Sequence, residues 1–596
     1  MPFQEQTFLT RSAPLLAVLA AWLFAVFVLV GVGGEFPLSD DWAYAHVVRS
    51  LCSGGGLDLL PWTGASLLAQ AGYGAIACGW FGFSYEMLRL TTVALSAVGI
   101  AATWMLLREA GANPRTSAAG AALVAFSPPW FNLTFTFMTD VPFASLITLA
   151  AALYARGFRR GSRGLLLTAG IVAAIAFLIR QHGVFAPMAA ALVALLSAPL
   201  AQMRAHEHAP YRVGADEGAF SRLVDAACAC ALPFLVVAVY TAWVASGRGV
   251  PLAMQIKVNE AATTPFLEIG NAAFRGIVTT GFLLMPWALA LRPDGAIERR
   301  LFAALVAVLG GAAVFLFVRE GATMFYLPNV LYDFGLGAVT LRDAFFLALP
   351  ALPRLGPVFT VPLTIASLVS AAMLGVALVS RVIPMLRSPV TAFCLGALGL
   401  TALGTLGQSA YYFDRYLLPV LPLAMAGVVA VSPAVRIGAG YGVAIVALAL
   451  YSVAGTHDYM EWNRVRWQML AALEARGVTA ERIDGGMEYN AERLAARLRT
   501  SPSDAQARRG QAATVKSWWW VVDDEWVVAF GPLDGYEVAD SRSYSRWLGM
   551  AEGRVLLLHR AGGAAASAAG AGQQSPASDA AQRSGEAAGQ TGRADG

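Results

Sequence analysis

SAPLLAVLAAWLFAVFVLVGV, residues 12–32, carries no charged side chain. As a helix it would be about 30 Å long, the thickness of a bilayer's hydrocarbon core. The run is too long for the core of a signal peptide. No small-x-small cleavage site stands before the polar segment that follows, so it reads as a retained first span. Similar blocks recur at 88–107, 116–132, 141–158, 164–180, 183–200, 223–245, 273–291, 299–318, 358–380, 389–408, 417–432 and 437–455, which makes about thirteen spans. Composition agrees: the 596-residue chain is 57% hydrophobic and 13% charged, where a soluble domain has about 45–50% and about 25%. The expected fold is mostly α, a polytopic transmembrane helical protein with a small extracytoplasmic α/β domain at its C-terminal end.

Loop charges give the spans a direction. Arginines crowd the loops that follow even-numbered spans: Arg108 and Arg115; Arg156, Arg159, Arg160 and Arg163; Arg204, Arg212 and Arg222; Arg292, Arg299 and Arg300; Arg381 and Arg387; Arg436. The positive-inside rule then places the N-terminus in the cytoplasm and, with an odd number of spans, the C-terminal region outside. The expected location is a cell (inner) membrane. Net charge is only +4, which gives no reason to expect nucleic acid as a partner. Lys257 and Lys516 are the only lysines, against 40 arginines. That imbalance resembles base-composition bias, so arginine clusters alone are discounted as signals.

Residues 1–455 are read as the transmembrane unit, 456–560 as the small outer domain and 561–596 as a disordered Ala/Gly/Ser/Gln-rich tail. HDYMEWNRVRWQMLAALEARGV puts Trp462, Val465, Met469, Leu470 and Leu473 on one helical face, and Gly477 ends the run. VKSWWWVVDD, EWVVAFG and GRVLLLHR read as short strands. None of the five cysteines forms a Cys-x-x-Cys pair. Cys228 and Cys230 lie in an apolar stretch as packing residues, while Cys52 and Cys78 share one outer loop, where a disulfide is open.

Four polar clusters interrupt the apolar background: SDDWAY with Asp40 and Asp41, FMTDVPF with Asp140, IRQHG with Arg180 and His182, and YYFDRYLLPVLP with Asp414 and Arg415. All four fall on odd-numbered loops, the outer side. Ionisable groups at span ends are costly to desolvate and are therefore functional candidates. Plainer readings compete. Asp40 and Asp41 can simply end a span in water. Asp140 fits an N-cap before Val141 and Pro142. Arg180 and His182 can anchor a helix end, and Arg415 can pair with Asp414. His206 and His208 lie in a cytoplasmic loop and read as solvated.

In order and spacing these motifs resemble the GT-C superfamily of membrane glycosyltransferases. The nearest pattern is glycosyltransferase family 39, the protein O-mannosyltransferase and aminoarabinose transferase group with its bacterial members. SDDWAY is similar to the family's acidic first-loop motif, MTDVPF to the acidic second-loop motif and FDRYLLPVLP to the late arginine–tyrosine segment. The resemblance covers residues 1 to about 560 and implies a sugar donor on a polyprenyl phosphate, an envelope acceptor and transfer at the outer face. It implies that Asp40 or Asp41 is the general base, with Asp140 orienting the acceptor or holding an ion. Arg180, His182, Arg415 and Lys257 are then candidates for the donor phosphate. Members of the family differ in metal use, so a divalent ion as cofactor stays open. Tyr326, Tyr332 and Asp333, in the long loop from about Arg319 to Val358, either bind substrate or pack as an outer loop. The rival readings are a transporter or flippase, a glycan polymerase or ligase, and a scaffold. A transporter needs polar groups at the membrane midplane on broken helices; here the charges sit at span ends.

Overall fold

A computed structural model describes residues 8–202, 219–248, 251–293, 295–333, 335–346, 355–380, 388–409, 412–431, 435–500, 523–549 and 551–561. Its first helix, α1 (Phe8–Phe24), continues through a π-helical stretch, Ala25–Val30, and stops at Gly31 with φ 75°. A helix end leaves carbonyls without partners, which is expensive where water is scarce. Here they are met from far along the chain. Arg464 donates to the carbonyls of Val30, Gly31 and Gly33. Arg89 donates to those of Val32, Gly34 and Phe36. The segment between the first span and Asp40 is thus fixed by two guanidinium groups.

Two helices follow, α2 (Asp41–Cys52) and α3 (Leu68–Phe81). They are joined by a Cys52–Cys78 disulfide with Cα atoms 6.1 Å apart, which settles the pairing left open by the sequence. The bridge closes a loop of 26 residues, for which lost chain entropy predicts about 3 kcal/mol of stabilisation. Cys52→Ser is therefore expected to lower the thermal midpoint of the purified protein, and a reductant to lower that of the wild type alone. An equal effect of reductant on both would contradict this.

The helices α4 (Tyr85–Ala110), α5 (Pro114–Ala125), α6 (Pro128–Leu133) and α7 (Asp140–Arg160) form the next layer. α4 starts at Ser84, whose hydroxyl caps Met87 N–H at 3.0 Å. α4 and α7 approach closely at Gly99, where a Cβ would stand 2.4 Å from Ser145 Oγ. Small residues at such crossings let the backbones pack without a hydrophobic drive. After α7 come α8 (Arg163–Phe177), α9 (Phe185–Gln202), α10 (Ala219–Trp243) and α11 (Leu252–Thr263). The body is completed by helices Phe266–Leu283, Ala296–Glu320, Pro357–Val379, Pro389–Leu406, Val420–Val431 and Ala439–Ala475.

Every one of the predicted spans is largely helical, but among the described residues nine helical stretches are long and apolar enough to cross a membrane. Three of the other four fall short for visible reasons. The 116–132 segment breaks between Ala125 and Pro128, and 273–291 breaks at Leu284, just before Pro286; in both, proline sits in the first turn of the new helix. The 164–180 segment forms a helix of only 15 residues that ends at Phe177, and a 3-10 turn at Gln181–Val184 separates it from α9, which at 18 residues takes up most of 183–200. The protein is a multi-pass helical membrane protein.

Ala439–Ala475 is one helix of 37 residues, about 55 Å long. It holds both the last predicted span and the predicted amphipathic helix, so it projects well beyond the hydrocarbon core. Gly477, with φ 84°, follows its end. After two short hairpin strands, β1 (Leu331–Tyr332) and β2 (Gly335–Leu336), a four-stranded sheet packs on the projecting part, with β3 (Ile483–Asp484), β4 (Trp526–Ala529), β5 (Tyr536–Arg546) and β6 (Ala551–Arg560) in the order β3-β4-β6-β5. β4 and β6 lie on the predicted EWVVAFG and GRVLLLHR strands. β5 was not foreseen, because YEVADSRSYSR is too polar to read as half-buried. VKSWWWVVDD falls almost wholly outside the described residues, as do His206, His208 and the tail after Ala561. Asp458 of the long helix accepts the N–H groups of Trp547 and Leu548 at 2.7 and 2.9 Å, and His457 stacks on Trp547 at 3.8 Å.

The loop before Pro357 is clamped between the sheet and the helical body. Its hairpin pairs Leu331–Tyr332 with Gly335–Leu336. Asp343 accepts Phe530 and Gly531 N–H groups, and Arg342 pairs with Asp524 at 2.6 Å.

Candidate active site

The four polar clusters meet at one place. Asp40 stands just before α2, its carboxylate accepting Trp62 Nε1–H at 2.9 Å and facing Arg415 Nη2 at 3.5 Å. Asp140 opens α7. It pairs with Arg180, and its Oδ1 lies 3.9 Å from Arg415 Nε. Asp40, Asp140, Arg180 and Arg415 therefore form a chain of alternating charge drawn from four separate loops. Thr139, not Asp140, holds the N-cap position of α7, and the Asp140 carboxylate faces the arginines instead.

The adjacent acids have different tasks. Asp41 is fully buried, and its oxygens accept Leu38 N–H at 2.7 Å and Phe137 N–H at 3.1 Å. It ties the first loop to the segment that leads into α7. Burial pushes its carboxyl up to about 7, against the pull of Arg89 and those two N–H groups. Asp40 is partly exposed, at 20% of its side chain. Of the pair, only Asp40 faces the arginines.

Asp414 likewise does not neutralise Arg415. Its carboxylate accepts the N–H groups of Val330, Leu331 and Arg415 itself, at 3.2, 2.6 and 2.7 Å. It anchors the hairpin and leaves the guanidinium to Asp40 and Asp140. Arg415 lies over the Phe413 and Tyr416 rings, and Arg180 lies 4.8 Å from the Tyr416 centroid. Among the described residues, Arg415 Nη1 and Nε and Asp140 Oδ2 are buried without a hydrogen bond. Buried polar groups without a bond are uncommon and call for an explanation. Unused guanidinium N–H groups beside a carboxylate are suited to an anionic group that arrives with a substrate.

The other predicted residues lie around this centre. Lys257, on α11, packs its ammonium against the first loop: a Cβ on Gly64 would be 2.8 Å from Lys257 Nζ. Its charge reaches His182 and Tyr416. His182 sits between Phe143 and Phe185, with Nε2 3.4 Å from Gln408 Nε2. Tyr326 donates to the Asp333 carbonyl at 2.6 Å, and Tyr332 lies in the hairpin, so these three residues build the loop's own frame.

Sequence reading missed several neighbours. Tyr44 is buried one helical turn after Asp40 and feels the charges of Asp40, Arg415, Arg180 and Asp140. Burial, with Asp40 second, raises its pKa, so the phenol stays protonated. The i to i+4 spacing within SDDWAY was the available signal. Trp62 and Arg89 were also passed over, as were Arg466 and Glu488; the last two form an ion pair with no exposure on either side chain. No group of three or more His, Cys, Asp or Glu suited to a metal is present among the described residues.

Residues 75–215 match the family model of the dolichyl-phosphate-mannose-protein mannosyltransferases. That stretch holds Asp140, Arg180 and His182. Among solved structures, ArnT from Cupriavidus metallidurans in the apo state aligns over 92% of this chain and 98% of its own, at 14% identity and a TM-score of 0.35. The oligosaccharyltransferase AglB from Archaeoglobus fulgidus, in complex with an inhibitory peptide and a dolichol-phosphate, aligns over 76% of this chain and 56% of its own, at 15% identity and a TM-score of 0.35. No curated protein matches the sequence.

Proposed function

We propose that this multi-pass glycosyltransferase of the GT-C type takes a sugar from a polyprenyl-phosphate donor and places it on an envelope acceptor at the extracytoplasmic face. The observation that carries the reading is the 3.5 Å approach of Asp40 to Arg415, with Arg415 N–H groups left unused beside it. The matching family is named for a sugar donor on a lipid phosphate, which supports that donor class.

The reaction needs two kinds of group. As the acceptor O–H attacks the anomeric carbon, a C–O bond forms and the proton must leave; Asp40 takes it. The bond between the anomeric carbon and the phosphate oxygen breaks, and its electron pair stays on the phosphate. Arg415 receives that charge, with Arg180 and Lys257 adding to the field. Asp140 orients both arginines. Its unbonded Oδ2 also suits an acceptor hydroxyl or a cation. The Cys52–Cys78 bridge, at the far end of the helix that Asp40 precedes, supports the outward orientation, since disulfides persist in oxidising compartments.

Mass spectrometry of envelope glycans and polyprenyl lipids in a strain lacking the protein tests the reading. The expected result is loss of one sugar decoration together with accumulation of one polyprenyl-phosphate sugar. Unchanged glycans combined with a transport defect would overturn it.

A further inference from the structure

We infer that the C-terminal segment aims the Asp40 carboxylate: Glu488 holds Ser39 in a left-handed backbone conformation and so turns the next residue toward Arg415. The inference rests on Asp40 being the base. Ser39 has φ 56° and is one of four non-glycine residues with positive φ among the described residues. A side chain disfavours that conformation, which persists only where the surroundings over-determine it.

The holding group lies 449 positions away: Ser39 N–H donates to Glu488 Oε1 at 3.0 Å. Glu488 is itself fixed. Its Oε2 accepts Thr340 Oγ1–H at 2.5 Å and Arg466 Nη2–H at 2.9 Å. Arg466 also donates to the Gly485 carbonyl at 2.8 Å. The Ser39 turn is closed from the other side by Leu38 N–H on Asp41 Oδ1 and by Asp41 N–H on the Leu38 carbonyl, 2.7 and 3.3 Å. Asp40 thus leaves a turn held at both ends. If Ser39 relaxed to negative φ, the chain would redirect and the Asp40 carboxylate would swing away from Trp62 and Arg415. Glu488 is therefore a positioning residue. It joins the hairpin loop, the projecting helix and the first loop at the one point next to the proposed base.

The test uses purified full-length protein in phosphatidylethanolamine–phosphatidylglycerol vesicles, with polyprenyl-phosphate mannose as probe and release of free mannose as readout. Only variants that elute as the wild type on gel filtration are compared. Glu488→Gln should lower kcat at least about tenfold with KM nearly unchanged, because the base is misplaced while the phosphate site stays. Hydrogen exchange over residues 36–44 should quicken. Ser39→Gly in the Glu488→Gln background should restore most of kcat, since glycine adopts positive φ without strain. Ser39→Pro forbids that φ but keeps the Glu488–Arg466 pair, and should show the same loss of kcat.

A purely structural Glu488 would lower folded yield without the split between kcat and KM and without glycine rescue; that result overturns the inference. So does unchanged exchange at 36–44 in Glu488→Gln, whichever sugar the enzyme uses. If Asp40→Asn releases mannose like the wild type, the base assignment fails instead, and the exchange result still judges the Glu488–Ser39 hold.

Discussion

Asp40→Asn is expected to lower sugar transfer by about 10³-fold, within the range for loss of a general base. The change is nearly isosteric and keeps an acceptor for Trp62 Nε1–H, so expression and thermal midpoint should stay close to wild type. Asp41→Asn is expected to behave in the opposite way. Asparagine has one acceptor oxygen where Asp41 uses two, so either Leu38 N–H or Phe137 N–H loses its partner. An unsatisfied buried donor costs about 1–3 kcal/mol. Stability should fall while transfer drops no more than about tenfold. The two acids also differ with pH. The Asp41 carboxyl is raised to about 7 in the fold, mainly by burial. The folded state therefore binds that proton more tightly than the unfolded chain. The associated stability is fully present below about pH 4 and is lost as pH rises through about 7. Asparagine does not titrate, so the lead of the wild type over Asp41→Asn in thermal midpoint should shrink across that window. Full transfer by Asp40→Asn, measured from a polyprenyl-phosphate sugar, would refute the assignment.

The parts legible in the sequence were those whose physics is local. Span length and apolarity located every long helix, and SDDWAY, MTDVPF, IRQHG and FDRY marked the loops that converge. Two kinds of information were not local. The first is which way adjacent side chains point. Asp40 and Asp41 end a Leu38–Asp41 turn that has Ser39 at positive φ, and no rule reading Leu38–Asp41 alone would expect a serine there. The second is long-range satisfaction of buried polar groups. Arg89 and Arg464 cap carbonyls left by the first span, while Glu488 and Arg466 lock the first loop to the C-terminal segment. Discounting arginines as compositional bias hid these residues, although a charge in or near a span demands a partner whatever the genome favours. The reading of Asp414 as a partner for Arg415 failed for a related reason. Its true partners are backbone N–H groups of a hairpin more than 80 residues earlier.

Arg415→Ala should cost about 10²–10³-fold in kcat, the usual consequence of removing one fixed donor to a developing charge. In the proposed reaction the negative charge on the phosphate grows as its bond to the sugar breaks, so the arginine would gain most in the transition state and KM for the donor should change less than kcat. Arg415→Lys should recover little. A lysine keeps the charge but loses the planar fork that faces Asp40 at 3.5 Å and lies near Asp140 at 3.9 Å while still offering unused N–H groups. Arg180 is a built-in comparison. It already spends Nη1 on Asp140 and rests on the Tyr416 ring, so Arg180→Lys should disturb the orientation of Asp140 and cost less than the same change at Arg415. Steady-state kinetics of the three variants separate these roles. Raised KM with wild-type kcat in Arg415→Ala would assign the residue to ground-state donor binding and move the charge stabilisation to Arg180 or Lys257. Equal losses in the two lysine variants would mean that the phosphate is shared between the arginines, with Asp140 holding them as a pair.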